Sequence, residues 1–331
     1  MIKPFNETLT NFEFTRENLV NLEPYFNINF PEADLNEKKT FFHNMRKLAR
    51  QSLGLSHAIQ HNIVPKIIVQ MSNCNEAKEK VLSKDFNEVI GCYSIVKRSD
   101  AITLNGLTLN GRKQWFSNLD QADYAVMQID SDEGVKLIWM DLHNKDSHEL
   151  DYNFFTPIGM EIAKAGTLVV DNHELNPEHI LGIHGTEMFF NQSNFASYCF
   201  ISNHCGLTHQ LFLDIKEHAK KFNYTGADFE LNKLETEVAT MLMQWEENLD
   251  TLGETIPTNE FWNRRNTQYA YSKKTLIRVI QFILEIGVTY YTDAKSEFSQ
   301  RYRDALTFCS HMHPLYKFGQ EFYQLDLNTY D

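Results

Sequence analysis

The densest chemistry in the chain lies near its end, where Arg301, Arg303, Asp304, His311 and His313 share one short segment. On a helix His311 lies seven residues beyond Asp304 on the same face, and Thr307 falls between them. A carboxylate, a hydroxyl and an imidazole so placed suit acid–base work near neutral pH. The competing reading is a surface helix with an ordinary Arg–Asp pairing.

Other reactive residue types are less productive. His57 and His61 stand four apart on a helical stretch, and His204, Cys205 and His209 cluster on another. Each group offers two or three metal ligands without a carboxylate at matching spacing, so no metal is expected. Cys205 adjoins His204, but neighbours on a helix point about 100° apart. Cys199 and Cys205 therefore read as structural thiols rather than nucleophiles. The phosphate-cradling patterns G-x-x-x-x-G-K-[ST] and G-x-G-x-x-G do not occur, nor do G-x-S-x-G and H-E-x-x-H.

Three stretches of different texture must position these residues. From about Asn36 to Met71 apolar residues recur at helical spacing, which predicts one long helix and a second short one, broken near Pro65. From about Val89 to Ile183 short apolar runs, such as Ala125–Ile129 and Val135–Met140, alternate with turn residues. Asn105-Gly106 and Asn110-Gly111 predict tight turns on either side of Leu107-Thr108-Leu109, within an antiparallel β region. After about Glu187 helical periodicity returns, with helices expected near 187–222, 228–252, 259–291 and 298–324. Four long helices with short links predict an antiparallel bundle. The expected division is 1–86 helical, 87–186 β and 187–331 helical bundle.

Composition narrows the function classes. The 331 residues are 42% hydrophobic and 23% charged, as in globular proteins. With 31 basic and 44 acidic residues the net charge is −13, and no long Lys/Arg run offsets it. Nucleic acid and anionic membrane are therefore excluded as expected partners. Five scattered cysteines fit a reducing compartment. No signal-like N-terminal pattern and no apolar run of about 18 residues occurs, so a cytoplasmic protein is expected.

Two longer segments resemble the acyl-CoA dehydrogenase superfamily. Leu104-Asn105-Gly106 through Arg112-Lys113-Gln114-Trp115-Phe116-Ser117-Asn118, then Ala122-Asp123, is similar to that family's "L-N-G-x-K-x-W-I-[ST]-N … A-D". Pro157-Ile158-Gly159-Met160, Ala165-Gly166-Thr167 and Val169 through Gly182 resemble its "G-M-R-x-T-G-S … V-x-F-D-D-V-x-V-P-x-x-x-x-L-G". The resemblance implies an α+β fold: N-terminal helices, a central antiparallel β domain of two packed sheets, and a C-terminal four-helix bundle. It further implies a flavin, FAD or alternatively FMN, between β domain and bundle, a small-molecule substrate, and a homodimer or homotetramer. Trp115 and Ser117 match positions beside the flavin ring, and Arg303 falls on the helix expected to help hold the cofactor.

Departures from the family pattern are equally specific. The family's "T-E-P-x-A-G-S-D" loop is missing before Lys97, and its "R-x-Q-F-G" is replaced by Lys221-Phe222-Asn223-Tyr224-Thr225-Gly226. The N-terminal helical part is expected to be shorter than the family's. Aligned on Arg303-Asp304-Ala305, the dehydrogenase glutamate becomes Met312, and a thioether cannot be a general base. The flavin monooxygenase branch carries "W-R-[DN]-A-R-T-x-x-x-H", whose histidine falls on His311. The expected function is a flavin-dependent oxidoreductase acting on an acyl-CoA-like or other small organic substrate. A reduced-flavin monooxygenase using His311 as its catalytic residue, and a non-catalytic binding module, are the alternatives.

Overall fold

The computed structural model describes residues 15, 19, 21–83, 88–94, 102–132, 134–143, 148–153, 156–183, 186–224, 226–253, 259–286 and 296–311. A short helical turn, α1 (Glu23–Phe26), precedes two long helices, α2 (Leu35–Gln51) and α3 (Leu53–Met71). Asp34 and Glu37 form a capping box at the start of α2, which buries Phe41, Phe42, Met45 and Leu48 along one stripe. Ser52 separates the helices: its N–H donates to the Leu48 carbonyl, and its hydroxyl accepts from the Leu55 N–H.

The break expected near Pro65 is therefore at Ser52, and α3 runs on through the proline. Proline inside a helix forfeits a hydrogen bond. Here its buried ring packs against β1, where the bare Cα of Gly91 leaves room: a Cβ there would lie 2.7 Å from Pro65 Cγ. α4 (Asn75–Leu82) follows, and the chain then enters the sheet.

The β region comprises β1 (Gly91–Ser94), β2 (Thr103–Asn105), β3 (Thr108–Ser117), β4 (Tyr124–Ser131), β5 (Gly134–Asp141), β6 (Glu149–Asp151), β7 (Ala165–Glu174) and β8 (Ile180–Ile183). Hydrogen bonds run in the order β6-β7-β3-β2-β4-β5-β8, and β1 pairs with β4. Pairing is antiparallel except where β1 and β2 lie parallel to β4. The expected two sheets are thus two packed leaves joined through β2.

Side-chain alternation sorts each strand between two cores. Ala125, Met127 and Ile129 of β4 and Ile138 and Met140 of β5 meet Leu109, Phe116, Leu168 and Val170 of β3 and β7. On the other face Tyr124, Val126, Leu137 and Trp139 join the helices. A period of two is what lets one leaf serve both cores.

Asn105-Gly106 forms the expected turn, with Gly106 at φ +63. Asn110-Gly111 does not turn. It lies within β3 opposite a bulge in β7, where Asn172 (φ +48) donates its N–H to Asn110 Oδ1. The bulge puts the extra residue on β7 and lets β3 continue.

The last part of the fold contains α5 (Thr186–Phe222), α6 (Asp228–Leu249), α7 (Asn259–Glu285) and α8 (Glu297–His311). All four begin within about one residue of the expected positions; residues 287–295 and 312–331 lie outside the described residues. α5 crosses α2 at Gly206, where a Cβ would sit 2.3 Å from the Arg46 carbonyl oxygen. One continuous apolar core joins the early helices, one face of the sheet and the bundle. No described helix is long and apolar enough to cross a membrane.

Candidate functional site

The end of β3 is distorted where it faces α3. Lys113 pairs with Leu168 and Phe116 with Gly166, so β3 carries one more residue than β7 between those rungs. Trp115 falls in this bulge at φ +71, a left-handed conformation costly for a bulky side chain. The Ser94 hydroxyl donates to the carbonyl of Gln114 and fixes the bulge from β1. Just beyond, Asn118 (φ +66) donates its amide to the Ala58 carbonyl on α3. Between these anchors Ser117 is buried, and its hydroxyl lies 3.3 Å from His57 Nε2.

His57 heads a buried row of rings. His61 lies one helical turn on, with ring centroids 4.3 Å apart, and it stacks on Tyr93 of β1 at 4.3 Å. The Gln60 amide donates to the Tyr93 hydroxyl, the Asn203 amide donates to Gln60, and the Ser56 hydroxyl donates to Asn203. Burial pushes the Tyr93 phenol well above its ordinary range, so the hydroxyl stays protonated. His57 and His61 share a helix face, as their spacing of four predicts. The structure puts His57 against Ser117, which only the fold could bring within reach.

On the bundle side, Phe200 of α5 and Phe308 of α8 close over His57, with centroids 5.8 Å and 6.0 Å from its ring. Phe308 also lies 4.6 Å from His204, which is fully buried and touches Tyr269 at 5.4 Å. Burial, reinforced by the charge of Lys273, pushes His204 down to about 3, so it is neutral at any ordinary pH. Burial likewise raises the Cys205 and Cys309 thiols to about 12, which agrees with inert structural cysteines.

The active-site helix expected from sequence is α8, but its pairings differ from the expected ones. Arg303 bonds along its own helix, to Ser299 Oγ at 2.8 Å and Gln300 Oε1 at 2.5 Å. Asp304 accepts from the Met160 N–H at 2.6 Å and the Gln300 amide at 2.8 Å. Burial raises Asp304 to about 6, partly offset by those N–H groups and by the Arg303 charge. The neighbouring ion pair is made by Arg301, whose Nε meets Asp214 at 2.8 Å. His311 is the last residue of α8; its side chain, Met312 and His313 lie outside the described residues.

The arrangement is that of the acyl-CoA dehydrogenase fold, which the flavin monooxygenases related to those enzymes share. The acyl-CoA dehydrogenase of Geobacillus kaustophilus aligns over 97% of this chain and 93% of its own, at 14% identity and TM-score 0.78. The dibenzothiophene monooxygenase TdsC of a Paenibacillus species aligns over 95% and 90%, at 13% identity and TM-score 0.75. The HsaA monooxygenase of M. tuberculosis aligns over 97% and 92%, at 15% identity and TM-score 0.73. No protein-family model and no curated protein matches the sequence.

The donor set at the end of β3 fits the ring end of a flavin. A half-buried indole supplies an apolar plane, and the Ser117 hydroxyl, backed by His57, supplies one polar handle. Lys220 and Lys221 are exposed in the last turn of α5, where a lysine is a point charge rather than a two-pronged phosphate clamp.

Proposed function

We propose that this chain is a flavin-dependent oxidoreductase acting on a small organic substrate. Trp115 and Ser117 would hold the ring end of FAD or FMN. The observation that carries the reading is the β3 bulge. It keeps a tryptophan at φ +71 and, two residues later, a buried serine hydroxyl within 3.3 Å of an imidazole. Strain of about 1–3 kcal/mol at a bulky residue persists where surrounding contacts over-determine it, and such residues cluster at working sites.

A bound flavin would supply two-electron redox chemistry. The chain's own part is to orient and to manage protons. Ser117 can donate to His57 while accepting from a ligand, or the reverse when His57 carries the second proton. Phe200 and Phe308 exclude water on the bundle side, which strengthens each polar contact inside. His311, at the end of α8, is the second acid–base candidate, and Arg303 on the same helix is a candidate for the cofactor's charged groups.

Within this reading, the reduced-flavin monooxygenase alternative is favoured by a specific pair of observations. Met312 replaces the glutamate a dehydrogenase would use, and an imidazole at His57 already contacts the ring-end serine. The test is to load the protein with flavin and add acyl-CoA thioesters without oxygen, then to supply reduced flavin, oxygen and small aromatic compounds. Oxygenated product without bleaching by acyl-CoA supports the monooxygenase. Bleaching by acyl-CoA that survives His57→Ala and His311→Ala overturns it in favour of dehydrogenation. The homodimer or homotetramer proposed with this function is read by light scattering.

A further inference from the structure

Asp304 ties α8 to a turn far away in sequence, and that turn packs on α3. Its carboxylate accepts the Met160 N–H at 2.6 Å and the amide of Gln300, one turn back on α8. The turn it holds packs on the start of α3: Gly54 lies in the first turn of that helix, whose own cap is local, the Ser52 hydroxyl accepting from the Leu55 N–H.

The contact is backbone to backbone beneath the carboxylate. Gly159 lies so close to α8 that a Cβ would stand 2.4 Å from the Arg303 carbonyl carbon and 2.5 Å from the Asp304 nitrogen. Met160 is held at φ +59 beside it, and its Cα would meet a Cβ on Gly54 at 3.4 Å. One turn after Gly54, α3 presents His57 to Ser117.

We propose that Asp304 is a positioning residue for the candidate site: by holding the Gly159–Met160 turn on α8, against which the first turn of α3 packs at Gly54, it sets where His57 stands against Ser117. The proposal rests on the proposed function only for the value of that placement to a ligand. The placement itself is a property of the chain without flavin.

The experiment therefore reads His57 directly, by nitrogen NMR of the histidine rings in the flavin-free protein. Asp304→Asn keeps the size and one acceptor oxygen, whereas Asp304→Ala removes both. Leu276→Ala is the control, a core truncation in α7 that lowers stability in general. The His57 ring signals are expected to shift in Asp304→Ala, to shift less in Asp304→Asn, and to stay at the wild-type position in Leu276→Ala. Flavin affinity, measured well below the unfolding temperature, is expected to fall at least about tenfold in Asp304→Ala, or ~1.4 kcal/mol. If Asp304→Ala does not fold, Asp304→Asn alone decides. Wild-type His57 signals in the folded Asp304 variants, or equal shifts in Leu276→Ala, overturn the proposal. Wild-type protein that binds no flavin overturns the proposed function instead, and leaves the ring signals to decide this inference.

Discussion

Gly159→Ala is the perturbation that most sharply tests how the β region docks on the bundle. The added methyl would sit 2.4 Å from the Arg303 carbonyl carbon, 2.5 Å from its oxygen and 2.5 Å from the Asp304 nitrogen. All three are backbone atoms in the middle of α8, so no side chain can swing aside. To restore ordinary contact the turn must retreat by about 1 Å, which stretches the 2.6 Å bond from the Met160 N–H to Asp304 beyond hydrogen-bonding range. A hydrogen bond to a charged group contributes about 1.5–3 kcal/mol, and the buried carboxylate is left short of a donor. Against this, Gly→Ala gains about 0.4–1 kcal/mol by restricting the unfolded chain. The net expectation is a loss of about 2 kcal/mol, read as a lower urea midpoint at pH 7.5 with unchanged slope.

The same variant carries a pH signature. Asp304 is raised to about 6 in the folded chain and is near its ordinary 3.8 when unfolded, so the folded state holds the extra proton between those values. The stability contributed by protonation is full below about 3.8 and is lost as pH rises through about 6. Below that value the carboxyl is neutral, and losing the Met160 N–H matters less. Gly159→Ala should therefore cost less at pH 5 than at pH 7.5. A variant as stable as the wild type at pH 7.5, or one whose cost grows on acidification, would refute the reasoning.

Three further outcomes follow from the same geometry. Trp115→Gly relieves a left-handed backbone while removing the indole, so stability should change by no more than about 1 kcal/mol while flavin binding is lost; a large loss of stability with intact binding contradicts this. His204→Phe should flatten the acid limb of the stability curve, because the wild-type ring is depressed from 6.5 to about 3 and its stabilisation, present above pH 6.5, drains as pH falls toward 3; an acid limb unchanged in urea titrations from pH 7 to pH 4.5 counts against it. Gly206→Ala should destabilise by at least about 2 kcal/mol, since its methyl would meet the Arg46 carbonyl at 2.3 Å; a midpoint equal to wild type is the contrary result.

What could be read in the sequence was mostly local. The bundle helices and the Asn105-Gly106 turn depend on periodicity and on residues in contact along the chain, and both stand near their expected positions. Pro65 misled because its cost is offset by a sheet that the helix does not contain, at Gly91 and Tyr124. Asn110-Gly111 misled because a bulge on a partner strand satisfies it without a turn. The recognised segments pointed to Trp115 and Ser117, but not to His57, which lies 60 residues from Ser117 in the chain. The spacing of His57 and His61 was the available signal, and it named a shared face without naming what the face meets. Asp304 was legible as a candidate, whereas its backbone donor, 144 residues away at Met160, was not.

The central claim is that the end of β3 is built to hold a flavin ring, and equilibrium titration of the purified protein with FMN and with FAD tests it most directly. The account predicts saturable binding of one of them at one flavin per chain, abolished in Trp115→Gly and weakened in Ser117→Ala. No saturation by either flavin, oxidised or reduced, up to about 1 mM, corresponding to less than ~4 kcal/mol of binding free energy, would contradict it.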